Sequence, residues 1–133
     1  YSSINNEIKD LRKGYNTLVG ERGVTLSGGQ KQRISIARGL ITNPQMVVLD
    51  DSLSAIDANA ESRILNFLDT QLAGKTSIIV AHRVYPQLKF DQILVIEKGK
   101  IAESGTQESL MNNGGYYEEI YRRQLEENAV SNE

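Results

Sequence analysis

Three short runs in this chain carry residue types suited to phosphate chemistry. Leu26-Ser27-Gly28-Gly29-Gln30 sets a serine and two glycines just before a helical pattern, with Lys31-Gln32-Arg33 directly after. Met46-Val47-Val48-Leu49 is an apolar run ending in the paired carboxylates Asp50-Asp51. Ser77-Ile78-Ile79-Val80-Ala81 is a second apolar run, and it ends at His82, the only histidine. A serine-capped helix start offers unbonded N–H groups and the positive end of the helix dipole to an anion. Glycines there let an anion approach the backbone closely. A carboxylate at the C-terminal end of a sheet strand can hold Mg²⁺ through water. A histidine at another strand end can donate to a phosphate oxygen and help place an attacking water.

The elements that must position these groups are legible in outline. Ser2 or Ser3 caps a short helix carrying Ile4, Ile8 and Leu11, which Gly14 ends. Tyr15 to Thr25 reads as loop. Ser27 caps a helix whose apolar residues Ile34, Ala37, Leu40 and Ile41 fall on one side, and Pro44 stops it. Met46 to Leu49 and Thr76 to Ala81 read as strands buried on both faces. Between them Asp57 caps a helix with the stripe Ile64, Leu65, Leu68 and Leu72. Ile93–Glu97 and Lys100–Ser104 form a hairpin turning at Lys98-Gly99. A short helix runs to Asn112, and a last helix covers Tyr116 to about Glu127, with a frayed end. This order predicts an α/β fold with a mainly parallel sheet.

The order and spacing of the three runs resemble the ATP-binding cassette (ABC) ATPases. Leu26 to Gln30 match that family's signature motif, and Val47 to Asp51 look like its Walker B strand. Ser54-Ala55-Ile56-Asp57 look like its D-loop, and His82 stands where the family has a switch histidine. The resemblance covers the chain from about Gly14 to Tyr121. It implies a P-loop NTPase core with a RecA-like parallel sheet and a helical signature subdomain. The implied divisions are 1–45 for the helical subdomain, 46–113 for the ATPase core and 114–133 for a C-terminal helix and tail. The implied cofactors are ATP and Mg²⁺. Asp51 and His82 would be catalytic, Asp50 would hold Mg²⁺ through water, and Ser27, Gly28, Gly29, Gln30 and Asp57 would bind nucleotide. In the family the signature helix start meets the γ-phosphate of ATP held by a second nucleotide-binding domain, so that partner is implied as well. Thr17 to Gly23 resembles the X-loop of ABC exporters, which touches the coupling helices of a transmembrane domain. The implied location is the cytoplasmic face of the cell membrane.

Two departures qualify the resemblance. No G-x-x-x-x-G-K-[ST] run is present. The nearest piece, Gly74-Lys75-Thr76, has Asp69 where the first glycine belongs, and it follows a helical stretch; Gly74 reads as a helix C-cap. The chain is therefore expected to be the C-terminal part of a nucleotide-binding domain, not competent for hydrolysis alone. The second departure is Asp51, where the family usually has glutamate, with Ser52-Leu53 in place of Pro-Thr. Aspartate is one methylene shorter, and a shift of roughly 1 Å can cost on the order of 10²-fold in rate. Such a carboxylate often marks the weaker half of a heterodimeric exporter. The other readings are an ordinary homodimer that works with aspartate, a half that clamps ATP without hydrolysing it, and a soluble ABC ATPase acting on nucleic acid.

Bulk properties narrow these choices. Net charge is −2, with 15 basic and 17 acidic residues interspersed, which argues against a dedicated nucleic-acid surface. The absence of cysteine rules out disulfides and thiolate metal sites. Apolar runs of about five or six residues are far short of a membrane span, so any membrane association is expected to come through a transmembrane domain.

Overall fold

The computed structural model describes residues 4–20, 24–56 and 58–130, arranged as two compact units, Tyr1–Ala81 and His82–Glu133. The first unit holds α1 (Asn5–Asp10), a 3₁₀ turn (Gly14–Asn16), α2 (Gly28–Leu40), β1 (Met46–Asp50), α3 (Ala58–Leu72) and β2 (Thr76–Val80). The second holds β3 (Ile93–Glu97), β4 (Lys100–Gly105), α4 (Gln107–Asn112) and α5 (Tyr116–Val130).

In the first unit β1 and β2 pair in parallel, from Met46 opposite Thr76 to Asp50 opposite Val80, with α3 as the crossover. This is the α/β arrangement the sequence predicts. The stripe on α3 is buried as expected: Ile64, Leu65 and Leu68 are enclosed together with Ala60. Gly74 follows α3 with φ +74°, and the Lys75 N–H bonds back to the Leu72 carbonyl. Gly74-Lys75-Thr76 is thus a helix exit and not a phosphate cradle.

Several local expectations are corrected. The start of α1 has Ile4 at its cap with no side-chain hydrogen bond, while Ser2 and Ser3 lie outside the described residues. Part of the expected loop is the 3₁₀ turn at Gly14–Asn16. The inward face of α2 is Arg33, Ile36 and Leu40, and Ile41 is 81% exposed just past the helix end. The cause is an ion pair: Arg33 turns inward to meet Glu7 of α1, with Nη2 donating to both carboxylate oxygens at 2.6 and 2.8 Å. The strands are not buried on both faces. Val47 and Leu49 are enclosed, whereas Met46, Val48, Ile78 and Val80 are exposed.

In the second unit the hairpin is antiparallel, and Lys98 and Gly99 both have positive φ, at 49° and 74°. That is the primed turn geometry that suits strand twist. The ladder shifts register between Val95 and Ile96. Thr106 caps α4 by accepting from the Ser109 N–H. Helix α5 extends three residues beyond the expected end at Glu127, to Val130. A core of Val84, Leu110 and Tyr117, flanked by Ile93, Val95 and Ile120, ties hairpin and helices together.

Candidate functional site

The start of α2 is built as the sequence predicts, and more tightly. Ser27 Oγ accepts from the Gln30 N–H at 3.2 Å, while Gln30 Oε1 accepts from the Ser27 N–H at 2.9 Å. This reciprocal capping box satisfies two of the donors that a helix start leaves over. Those of Gly28 and Gly29 have no intrahelical acceptor and are the ones left for an anion. Gln30 is anchored further by its Nε2, which donates to Glu7 at 2.9 Å. The Ser-x-x-Gln spacing is the signal that reveals the box in sequence.

Beside this helix start lies the turn that follows β1. Asp50 ends the strand and is exposed, with its backbone opposite Val80. An exposed carboxylate at a strand end fits a cation held through water. No cluster of three or more His, Asp or Glu suited to direct metal binding occurs among the described residues. Asp51 has φ +47°, one of few non-glycine residues here in the left-handed region. Aspartate tolerates that region better than most residues, at a cost of about 1 kcal/mol. Its backbone is held at both ends: the N–H donates to the Val80 carbonyl at 3.0 Å, and its carbonyl accepts from Ser54 Oγ at 3.0 Å.

Gln32, one turn into α2, joins the two motifs. Its Nε2 donates to the Asp51 carbonyl at 3.0 Å and to Ser54 Oγ at 2.9 Å, and its Oε1 accepts from the Ala55 N–H at 2.8 Å. Gly28, Gly29 and Gln32 share the helix face turned to this loop. A Cβ on Gly29 would lie 2.7 Å from the Ala55 carbonyl oxygen, and one on Gly28 would lie 3.5 Å from Ala55 Cβ. The glycine at 29 therefore has a steric reason besides anion access: it admits the backbone of the neighbouring turn. Sequence reading did not find Gln32, because its partners are 19 to 23 residues away and leave no periodic trace.

The remaining candidates are placed as follows. Asp57 lies outside the described residues, as do residues 21–23 of the Thr17–Gly23 loop. Leu18 and Val19 of that loop are exposed, at 69% and 51%. His82 is exposed and opens the second unit. Two residues on, Val84 is gripped by Gln124 of α5: the Val84 N–H donates to Oε1 at 3.1 Å and its carbonyl accepts from Nε2 at 2.8 Å.

The ABC transporter family model matches residues 4–54. Among curated proteins the chain is 52% identical over 114 residues to the probable multidrug resistance ABC transporter ATP-binding/permease protein YheI of Bacillus subtilis (strain 168), covering 86% of this chain and 20% of that protein. It is 46% identical over 129 residues to the multidrug resistance-like ATP-binding protein MdlA of Escherichia coli (strain K12), covering 97% and 22%. It is 45% identical over 120 residues to the mitochondrial potassium channel ATP-binding subunit of Xenopus tropicalis, covering 90% and 17%. Among solved structures, a bacterial Atm1-family ABC exporter with ATP bound superposes with a TM-score of 0.83 at 41% identity, over 92% of this chain and 22% of that one. The chain thus spans about a fifth of the length of the relatives it matches. These matches and the shared fold identify the chain as a fragment of an ABC transporter ATP-binding domain, homologous to multidrug exporter ABC subunits.

Proposed function

We propose that this segment works within an ABC exporter, as part of a domain that hydrolyses ATP and couples that reaction to transport across a membrane. The observation that carries the reading is the Ser27-capped helix start packed against the Asp50–Ile56 turn. One block then carries both the anion-binding N–H groups and two carboxylates. The exposed N–H end suits the γ-phosphate of a nucleotide held by a second, homologous domain. Asp50 would hold Mg²⁺ through water, Asp51 would orient the attacking water, and His82 and Asp57 would complete the two sites. Mg²⁺ offsets the charge of the phosphates when bound. Because the chain has no P-loop run, the phosphate cradle for its own site must come from other residues of the same domain. Leu18 and Val19, apolar and exposed, suit contact with coupling helices of a transmembrane domain, which would place the segment at the cytoplasmic face of the membrane. The short reach of Asp51 makes this the slower half of a pair.

Single-turnover hydrolysis in the intact transporter tests the assignment. Asp51→Glu is expected to raise the rate at the site containing this strand on the order of tenfold, by restoring carboxylate reach. Asp51→Asn is expected to abolish it. No gain from glutamate together with no loss from asparagine would replace the hydrolytic reading with an ATP clamp.

A further inference from the structure

We propose that Gln32 is a positioning residue that couples the anion-binding start of α2 to the carboxylate of Asp51, so that occupancy at one is felt at the other. The inference rests on the hydrolytic reading above and deepens it.

The three hydrogen bonds of Gln32 use both N–H groups and the carbonyl of its amide, and all three fall on one turn: the Asp51 carbonyl, Ser54 Oγ and the Ala55 N–H. These groups are exposed. Water could satisfy them, so exchanging water for the glutamine adds little net stability. Their consequence is geometric. They fix a turn whose pivotal residue, Asp51, sits at φ +47°, where a small rotation of the backbone swings the carboxylate. The steric contact acts in the same direction. The Ala55 carbonyl, 2.7 Å from where a Cβ on Gly29 would stand, packs against the helix start backbone to backbone and leaves it little room to slide toward the turn. Gln32 prevents it from moving away. Held from both sides, the N–H groups of Gly28 and Gly29 and the backbone of Asp51 move as one piece. A phosphate held by the second domain and drawing on those N–H groups therefore shifts the aim of the carboxylate that serves the nucleotide of this chain's own domain.

The test uses the intact transporter with Gln32→Leu, which keeps the volume and removes the polar atoms, and Gln32→Glu, which keeps the acceptor for Ala55. The expected result is an unchanged thermal melt and a KM for ATP within about twofold of wild type, with single-turnover hydrolysis at the Asp51 site lowered roughly tenfold by leucine and less by glutamate. Ser54→Ala alone should lower the rate by a smaller factor, and add nothing on the Gln32→Leu background, because the two residues act through one network. Should Gln32→Leu fail to fold, Ser54→Ala with a lowered rate and an unchanged melt supports the proposal, and Ser54→Ala at the wild-type rate overturns it. Wild-type rates in Gln32→Leu, multiplying effects of Gln32 and Ser54, or a rate loss that tracks a lowered melt would each overturn it while leaving the hydrolytic reading intact. A wild-type transporter that does not hydrolyse ATP would remove both.

Discussion

Each unit of this molecule contains a glutamine that holds a loop by its backbone, and the two do so differently. Gln124 reaches from α5 to both peptide groups of one residue, Val84, which is only 7% exposed. Its amide satisfies both the partly buried N–H and the carbonyl of that residue. Gln32 reaches from α2 to three exposed residues of one turn, one of them in the left-handed region. The same side chain chemistry serves stability where the target is shielded from water, and orientation where it is not. Burial of the target, not the number of bonds, decides between these outcomes.

The strongest challenge to this contrast lies at Gly29. Gly29→Ala adds only a methyl group, yet it meets the Ala55 carbonyl at 2.7 Å. ATP turnover in the intact transporter is expected to fall on the order of 10²-fold, and in Gly29→Asp, which sets a negative charge where a phosphate would sit, at least as far. An active alanine variant beside a dead aspartate variant would mean that the glycine serves anion access alone, and the packed block at Gln32 would lose its steric half. The second test concerns Gln124→Leu, which strands the Val84 N–H and carbonyl. It should lower stability by about 1–3 kcal/mol, read as an earlier denaturant midpoint and faster exchange of the Val84 amide. A stability loss from Gln32→Leu as large as that from Gln124→Leu would erase the distinction. The smallest effect is expected at Tyr117. Burial, with a lesser contribution from nearby Tyr121, raises its phenol above the ordinary value of 10.0. The native state thus keeps this proton longer than the unfolded chain does. The corresponding stability is fully present below about pH 10 and is lost as pH rises through the raised native value. Tyr117→Phe should flatten that alkaline decline in urea midpoints, and an unchanged slope would assign the decline to other groups.

The parts legible in sequence were those with local causes. The capping serine at 27, the stripe on α3, the Gly74 exit and the Lys98-Gly99 turn each follow from side chains within a few residues of one another. The misread face of α2 had a distant cause: Arg33 goes inward because Glu7, 26 residues earlier, supplies a carboxylate. The same holds for Gln32 and Gln124, whose partners lie up to 23 and 40 residues away. For β1 and β2 an unbroken apolar run predicted burial on both faces. One face is open among the described residues, because apolar composition states what a strand can bury against and not what is there to cover it.

The primed turn at Lys98-Gly99 bears on the order in which the molecule assembles. It lets β3 and β4 zip from adjacent residues, an event on the order of 1–10 μs for a hairpin. Pairing of β1 with β2 must instead close a separation of thirty residues, from Met46 to Thr76, and must cover that loop entropy before any ladder bond forms. During synthesis the first unit leaves the ribosome ahead of the second and has seconds in which to form. On dilution from denaturant that head start is gone, and the hairpin, made after β1 and β2, pairs before they do.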